Sequence, residues 1–254
     1  MEIMQDRPHI FFDFDDTLSD QQILRIQYLR ELSCLLSAKY GLGAEAWSRE
    51  LVPALKASVH RYVEAHSGRP EPGYARWITE ERAQVARELF GAVGVPTPKD
   101  ESLSQLALVL QTEALLKCNA SYPGAAASIC QLHNAGFVVC MASSQESDFL
   151  RPALSGTGLE PVMLHYFGPD LIDYPKEGPE FYMRVFAKCG VQPHEAIVVD
   201  DQAMCLDWAE EVGARVIQAC MINGSEPEFP ICFTNYDELP AIVEGLCGAG
   251  RGIL

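Results

Sequence analysis

Short apolar runs alternate with longer stretches in which apolar residues recur at helical spacing. His9 to Phe12 is apolar and stops at Asp13, which predicts a buried strand. Ser19-Asp20-Gln21-Gln22 then fits a capping box, with Ser19 as N-cap and Gln22 reaching back from the third helical position. Leu24, Tyr28, Leu32 and Leu35 follow on one helical face, and Gly41 ends that segment. Trp47, Leu51, Leu55, Val59 and Tyr62 form a second stripe, which Pro53 is expected to split. Thr79 opens a third helix, with Glu80 and Glu81 in its first turn and Gly91 as its end. Leu103, Leu106 and Leu110 mark a fourth. Between residues 19 and 118 no strand pattern appears.

The pattern changes at Tyr122-Pro123-Gly124. A helix over Ala125–Ala135 leads through Gly136 into a strand over Phe137–Ala142. Val162 to His165 is a further strand, and a helix begins at Pro179 and stops at Gly190. Ala196 to Val199 is a β-branched run ending at Asp200. The helix Ala203–Val212 halts at Gly213, and Arg215–Ala219 forms another strand. This alternation predicts an α/β fold: a Rossmann-like parallel sheet with helices on both faces. The core is residues 1–18 and 119–254, and residues 19–118 form an inserted all-helical unit.

Charge sharpens the division. The 254 residues carry a net charge of −16, but residues 19–118 hold 12 basic and 12 acidic side chains. The whole excess therefore falls on the core. Such a balance excludes a nucleic-acid or acidic-membrane partner, both of which need a basic footprint. No apolar run is long enough to span a bilayer. The N-terminal residues lack the cationic and apolar regions of a secretory signal, and nine cysteines without a C-x-x-C pair suit buried thiols, so a cytoplasmic location is expected.

Three strand ends carry polar groups: Asp13-Phe14-Asp15-Asp16-Thr17, Ser143-Ser144 and Asp200-Asp201. Parallel strands place all three at one sheet edge, where ligands of such sheets bind. Carboxylates that close cannot all stay ionised without a cation. An oxygen-rich cluster suits Mg²⁺, a hard ion that takes carboxylates together with substrate phosphate. Lys176, just before a helix, supplies a fixed positive charge. Asp16 reads as a turn or helix-entry residue, and Arg61, Arg69 and Arg76 as solvated side chains. Gly41-Leu42-Gly43 follows a helix rather than a strand, so dinucleotide binding is not expected.

These segments resemble the four motifs of the haloacid dehalogenase (HAD) superfamily. His9 to Leu18 is similar to its first motif, a strand followed by D-x-D-x-T-L. Phe137 to Ser144 is similar to the second, a strand ending in Ser or Thr. Lys176 to Tyr182 resembles the third, K-P-x-P with an aromatic after it, although Glu177 replaces the first proline. Ile197 to Asp201 resembles the fourth, an acidic pair at a strand end. Gln202 and Cys205 stand where relatives often have Ser and Gly.

The resemblance implies a cap over residues 19–118 and hydrolysis of a small phosphorylated metabolite through an aspartyl-phosphate. Asp13 would be the nucleophile and Asp15 the acid and base. Thr17, Ser143, Ser144 and Lys176 would serve the phosphate. Mg²⁺ would rest on Asp13, the Asp15 backbone carbonyl, Asp200 and Asp201. The protein would act as a monomer or homodimer. A phosphomutase of the same superfamily is the alternative, and a silent binding protein a further one. A response-regulator-like phospho-acceptor would carry its acidic pair on the first strand, the reverse of the order here. A dehalogenase does not need the proton donor that Asp15 provides.

Overall fold

The computed structural model describes residues 7–66, 73–99, 102–222 and 226–248. Six parallel strands form one sheet in the order β3-β2-β1-β4-β5-β6: β1 His9–Phe12, β2 Val138–Ala142, β3 Met163–Phe167, β4 Ala196–Asp200, β5 Arg215–Ala219 and β6 Cys232–Phe233. β1 lies in the middle, with Phe12 opposite Met141 on one side and Val199 on the other.

Successive side chains of a strand point to opposite faces, and here both faces are buried. Ile10, Phe12, Met141 and Val199 join one apolar layer, which is completed by α5 (Ala125–Asn134), α6 (Ser147–Ser155) and α10 (Leu239–Gly248). Phe11, Cys140 and Val198 join the other, against α7 (Pro169–Ile172), α8 (Pro179–Cys189) and α9 (Ala203–Glu211). Burial on both faces explains why these strands read as continuous apolar runs.

Between β1 and β2 the chain forms α1 (Gln21–Tyr40), α2 (Ala44–His66), α3 (Tyr74–Val93) and α4 (Leu103–Leu115). They pack around a core of their own that includes Leu36, Trp47, Phe90 and Leu110. The chain enters and leaves this insert side by side. Asp20 N donates to Ala120 O at 2.9 Å, Tyr122 N donates to Leu18 O at 3.0 Å, and Ser19 bridges Ser121.

Several helix boundaries differ from expectation. Asp20, not Ser19, caps α1: its carboxylate accepts from Ile23 N at 2.9 Å, while Ser19 is engaged in bridges to Asp15 and Ser121. Pro53 does not split the second stripe. α2 runs through it, because Trp47, Leu51 and Ala54 are buried on both sides of the proline and offset the one lost hydrogen bond. Thr79 does not open α3, which starts at Tyr74 after Gly73 in the left-handed region and ends at Gly94 rather than Gly91. Thr79 sits within it and donates back to Ala75 O at 3.0 Å. α6, α7, α10 and β6 have no counterpart in the expected elements.

Candidate active site

Asp13 follows β1 directly, and its amide donates to Val199 O at 2.9 Å, which ties it to the end of β4. The chain then folds back. Leu18 N and Ser19 N both donate to Phe14 O at 3.0 Å, and Asp16 N donates to Ser19 O at 2.7 Å. Asp16 adopts a left-handed φ of 54°, and its carboxylate accepts from Gln21 N, which suits the turn role read for it. This loop keeps Asp15 and Thr17 beside the strand ends, both buried.

Lys176 stands at the centre. Its Nζ donates to Asp13 Oδ1 at 2.8 Å and to Asp200 Oδ2 at 2.7 Å, and all three side chains are buried. Burial alone would depress the ammonium, but the Asp13 and Asp200 carboxylates outweigh it and hold its pKa well above the ordinary lysine value. Asp200 also accepts from Gln202 N at 3.0 Å and from the Tyr182 hydroxyl at 3.4 Å. Burial still raises it, against the pull of Lys176. Asp201 accepts from Thr17 Oγ1 at 3.3 Å, and burial, then the charges of Asp13 and Asp200, push it up to about 7. Asp15 is raised to about 6 by burial and by the charge of Asp13, while the amide of Gln145, donating from Nε2 at 2.6 Å, opposes the rise.

Asp13, Asp200 and Asp201 each offer an oxygen, and the three oxygens lie within 4.8 Å of one another. An all-oxygen donor set of this charge fits a hard divalent cation. The carboxylate of Asp15 stands outside this group. Ser143 is fully buried: its amide donates to Phe167 O at 3.0 Å and its Oγ accepts from Gln145 N at 3.3 Å. Ser144 is exposed and lines a cavity that the insert helices also line. Of the three arginines singled out in the insert, Arg61 is paired with Glu81 and Glu88, Arg76 is exposed beside Glu80, and Arg69 lies outside the described residues.

Residues 8–213 match the haloacid dehalogenase-like hydrolase family. The chain belongs to that family. Two relatives of this HAD-like hydrolase carry different activities in their names. (S)-2-haloacid dehalogenase 4A of Burkholderia cepacia is 29% identical over 111 residues, 43% of this chain and 47% of that protein, so this chain matches about half of that relative. Phosphoglycolate phosphatase 1 of Pseudomonas aeruginosa is 27% identical over 199 residues, 76% of this chain and 70% of that one. Among solved structures, the 2-haloacid dehalogenase of Pseudomonas syringae pv. Tomato DC3000 superposes with a TM-score of 0.66 at 17% identity, covering 94% of this chain and 99% of that one. The fold and the hydrolase family are thus shared with both dehalogenases and phosphatases.

Pattern reading missed two members of this HAD-like site. Gln145 is the residue that touches Asp15, and its only sequence signal was its place two residues past Ser143. The role of Glu177 was hidden too. The residue that departs from the third motif accepts a hydrogen bond from Tyr62 of α2 at 3.1 Å and so helps hold the insert against the core.

Proposed function

We propose that this HAD-like hydrolase is a Mg²⁺-dependent phosphomonoesterase acting on a small phosphorylated metabolite. The observation that carries the reading is Asp15: a buried carboxylate beside Asp13, oriented by Gln145 and poised to exchange a proton near neutral pH. Displacing a halide from carbon needs no proton donor for the departing ion. Expelling an alkoxide from phosphorus does.

In the proposed chemistry Asp13 Oδ attacks phosphorus. The bond to the ester oxygen breaks, and Asp15 gives that oxygen its proton. Asp15, now a carboxylate, takes a proton from water as the water oxygen attacks phosphorus, and the bond to Asp13 breaks to release inorganic phosphate. Lys176 offsets negative charge where the phosphoryl group meets the nucleophile. Ser143 and the Ser144 amide supply donors to its oxygens, and Thr17 holds Asp201 in place. Mg²⁺ on Asp13, Asp200, Asp201 and the Asp15 carbonyl would add the charge compensation that one lysine among four carboxylates does not provide.

We read the helical insert as a cap on this site. Supporting contacts run from the insert to the core edge: Tyr62 to Glu177, Tyr74 to Glu146 at 2.7 Å, Ala75 N to Asp173 at 3.3 Å, and Arg82 to Asp148 at 3.4 Å. Nine free cysteines support a reducing compartment such as the cytoplasm. None of the described helices is long and apolar enough to cross a membrane. The test pairs two assays on the purified protein. Phosphate release from an aryl phosphate should require Mg²⁺ and stop with excess EDTA. Halide release from a short 2-halocarboxylic acid without phosphate release would overturn the reading.

A further inference from the structure

A cavity of about 460 Å³ lies inside the insert, between all four of its helices. Leu36 of α1, Leu55 of α2, Trp77 and Val85 of α3 and Leu110 of α4 line it, so its wall is mostly carbon. The volume falls in the ~300–1,000 Å³ range of small-molecule sites. A carbon-lined space this large forfeits dispersion contacts while nothing fills it.

Its position relates it to the reacting groups. On the core side Ser144, Gln145, Glu146 and Phe149 form the wall. Gln145 is also the side chain that donates to Asp15 Oδ2 at 2.6 Å. One residue therefore separates the proton donor for the leaving oxygen from the interior of the insert.

Two further wall residues point to a ligand. Arg82 Nη2 and Gln111 Nε2 are buried and make no hydrogen bond among the described residues. Buried donors are nearly always paired, and both of these can donate to an oxygen of a guest. Glu146, half-buried and accepting from the Tyr74 hydroxyl, is a carboxyl group in the same wall and disfavours an anionic group beside it.

We propose that the cavity receives the alcohol part of the substrate. That part is an aliphatic or aromatic body bearing one acceptor oxygen, such as an ether or carbonyl, that meets Arg82 or Gln111. The proposal rests on the phosphomonoesterase reading and narrows it: short, polar phosphate esters are the poorer substrates.

The test compares ethyl, butyl, octyl and 2-phenoxyethyl phosphate by kcat/KM. It also measures binding of 1-octanol and 2-phenoxyethanol by calorimetry, which does not depend on turnover. Each buried methylene is worth about a fourfold gain. Octyl and phenoxyethyl phosphate should thus exceed ethyl phosphate by roughly tenfold or more, and both alcohols should bind.

Ala107→Phe and Ser58→Phe narrow the cavity from α4 and α2. Each should reduce the octyl-to-ethyl ratio about fivefold or more, with thermal melting confirming that at least one variant folds. Gln111→Leu should weaken phenoxyethanol more than octanol. Turnover of all esters at equal kcat/KM, with no alcohol bound, would overturn the proposal and leave the phosphomonoesterase reading standing. Alcohol binding with no ester hydrolysed would overturn that reading and leave the cavity as a site for apolar alcohols.

Discussion

Asp13 and Asp15 are two residues apart yet meet different partners. The ammonium of Lys176 touches Asp13, and the neutral amide of Gln145 touches Asp15. The first environment suits a charged nucleophile and the second a carboxyl that can hold a proton. Under the proposed phosphomonoesterase chemistry, Asp13→Asn should lower kcat by about 10³-fold or more, since an amide does not attack phosphorus. Asp15→Asn should lower it by about 10²–10⁴-fold and let phosphoenzyme accumulate from an activated aryl ester, visible by intact-protein mass. Wild-type rates for Asp13→Asn would refute the assignment.

Charge crowding gives a second expectation. Asp15 and Asp201 have pKa values raised to about 6 and 7, and that of Asp200 is raised as well. A raised folded-state pKa stabilises below the ordinary carboxylate range, and that stability is lost as pH rises through the folded values. Metal-free protein should thus melt lower at pH 8 than at pH 5, and Mg²⁺ should raise Tm more at pH 8. Asp201→Asn, which keeps the oxygen that accepts from Thr17, should raise the metal-free Tm at pH 8. At about 2–4 °C per kcal/mol for a chain of this size, calorimetric scans resolve the change. The strand-end carboxylates were legible because each follows an apolar run. Gln145 was not, because a loop amide has no periodicity to mark it.

At the scale of elements, the site depends on how closely neighbouring loops approach. A Cβ on Gly168, just past β3, would stand 2.3 Å from Gln145 O and 2.9 Å from Ser147 N, both backbone atoms. Gly168→Ala must therefore displace the loop that carries Ser143 and Gln145. Overpacking of this kind costs about 1–3 kcal/mol, so a lower Tm is expected together with a fall in kcat. An unchanged kcat would show that the loop's position is immaterial. The strands that build the site edge were readable because a strand buried on both faces is a continuous apolar run. Helix ends were less so. Ser19 and Asp20 are adjacent capping residues, and pairing of Ser19 with Ser121, a hundred positions away, decides between them. Pro53 misleads for the same reason: the packing of α2 against its neighbours outweighs a local preference.

Among the described residues of the whole molecule, the insert rests against the core through two hydroxyl–carboxylate pairs, Tyr62–Glu177 and Tyr74–Glu146, and one ion pair, Arg82–Asp148. Tyr62→Phe with Tyr74→Phe removes the donors to Glu177 and Glu146. Leaving half-buried Glu146 without its donor costs about 1–3 kcal/mol. Tm should fall by several degrees, and hydrogen–deuterium exchange should quicken in α3 and residues 144–149 while β1 and β4 stay protected. Equal exchange throughout would mean that these contacts do not hold the insert. The helices among the described residues of the insert and the change of pattern at Tyr122 were both legible. The contacts between insert and core were not, because they join residues far apart in the chain. The paired crossings at Leu18–Asp20 and Ala120–Tyr122 also bear on how this protein folds. β1, which ends at Phe12, must find β2 from Val138 and β4 from Ala196, a search whose entropy would slow a featureless chain. The native contacts hold the two crossings side by side, so in the folded protein the chain leaves and re-enters the core as if the intervening helices were a short turn.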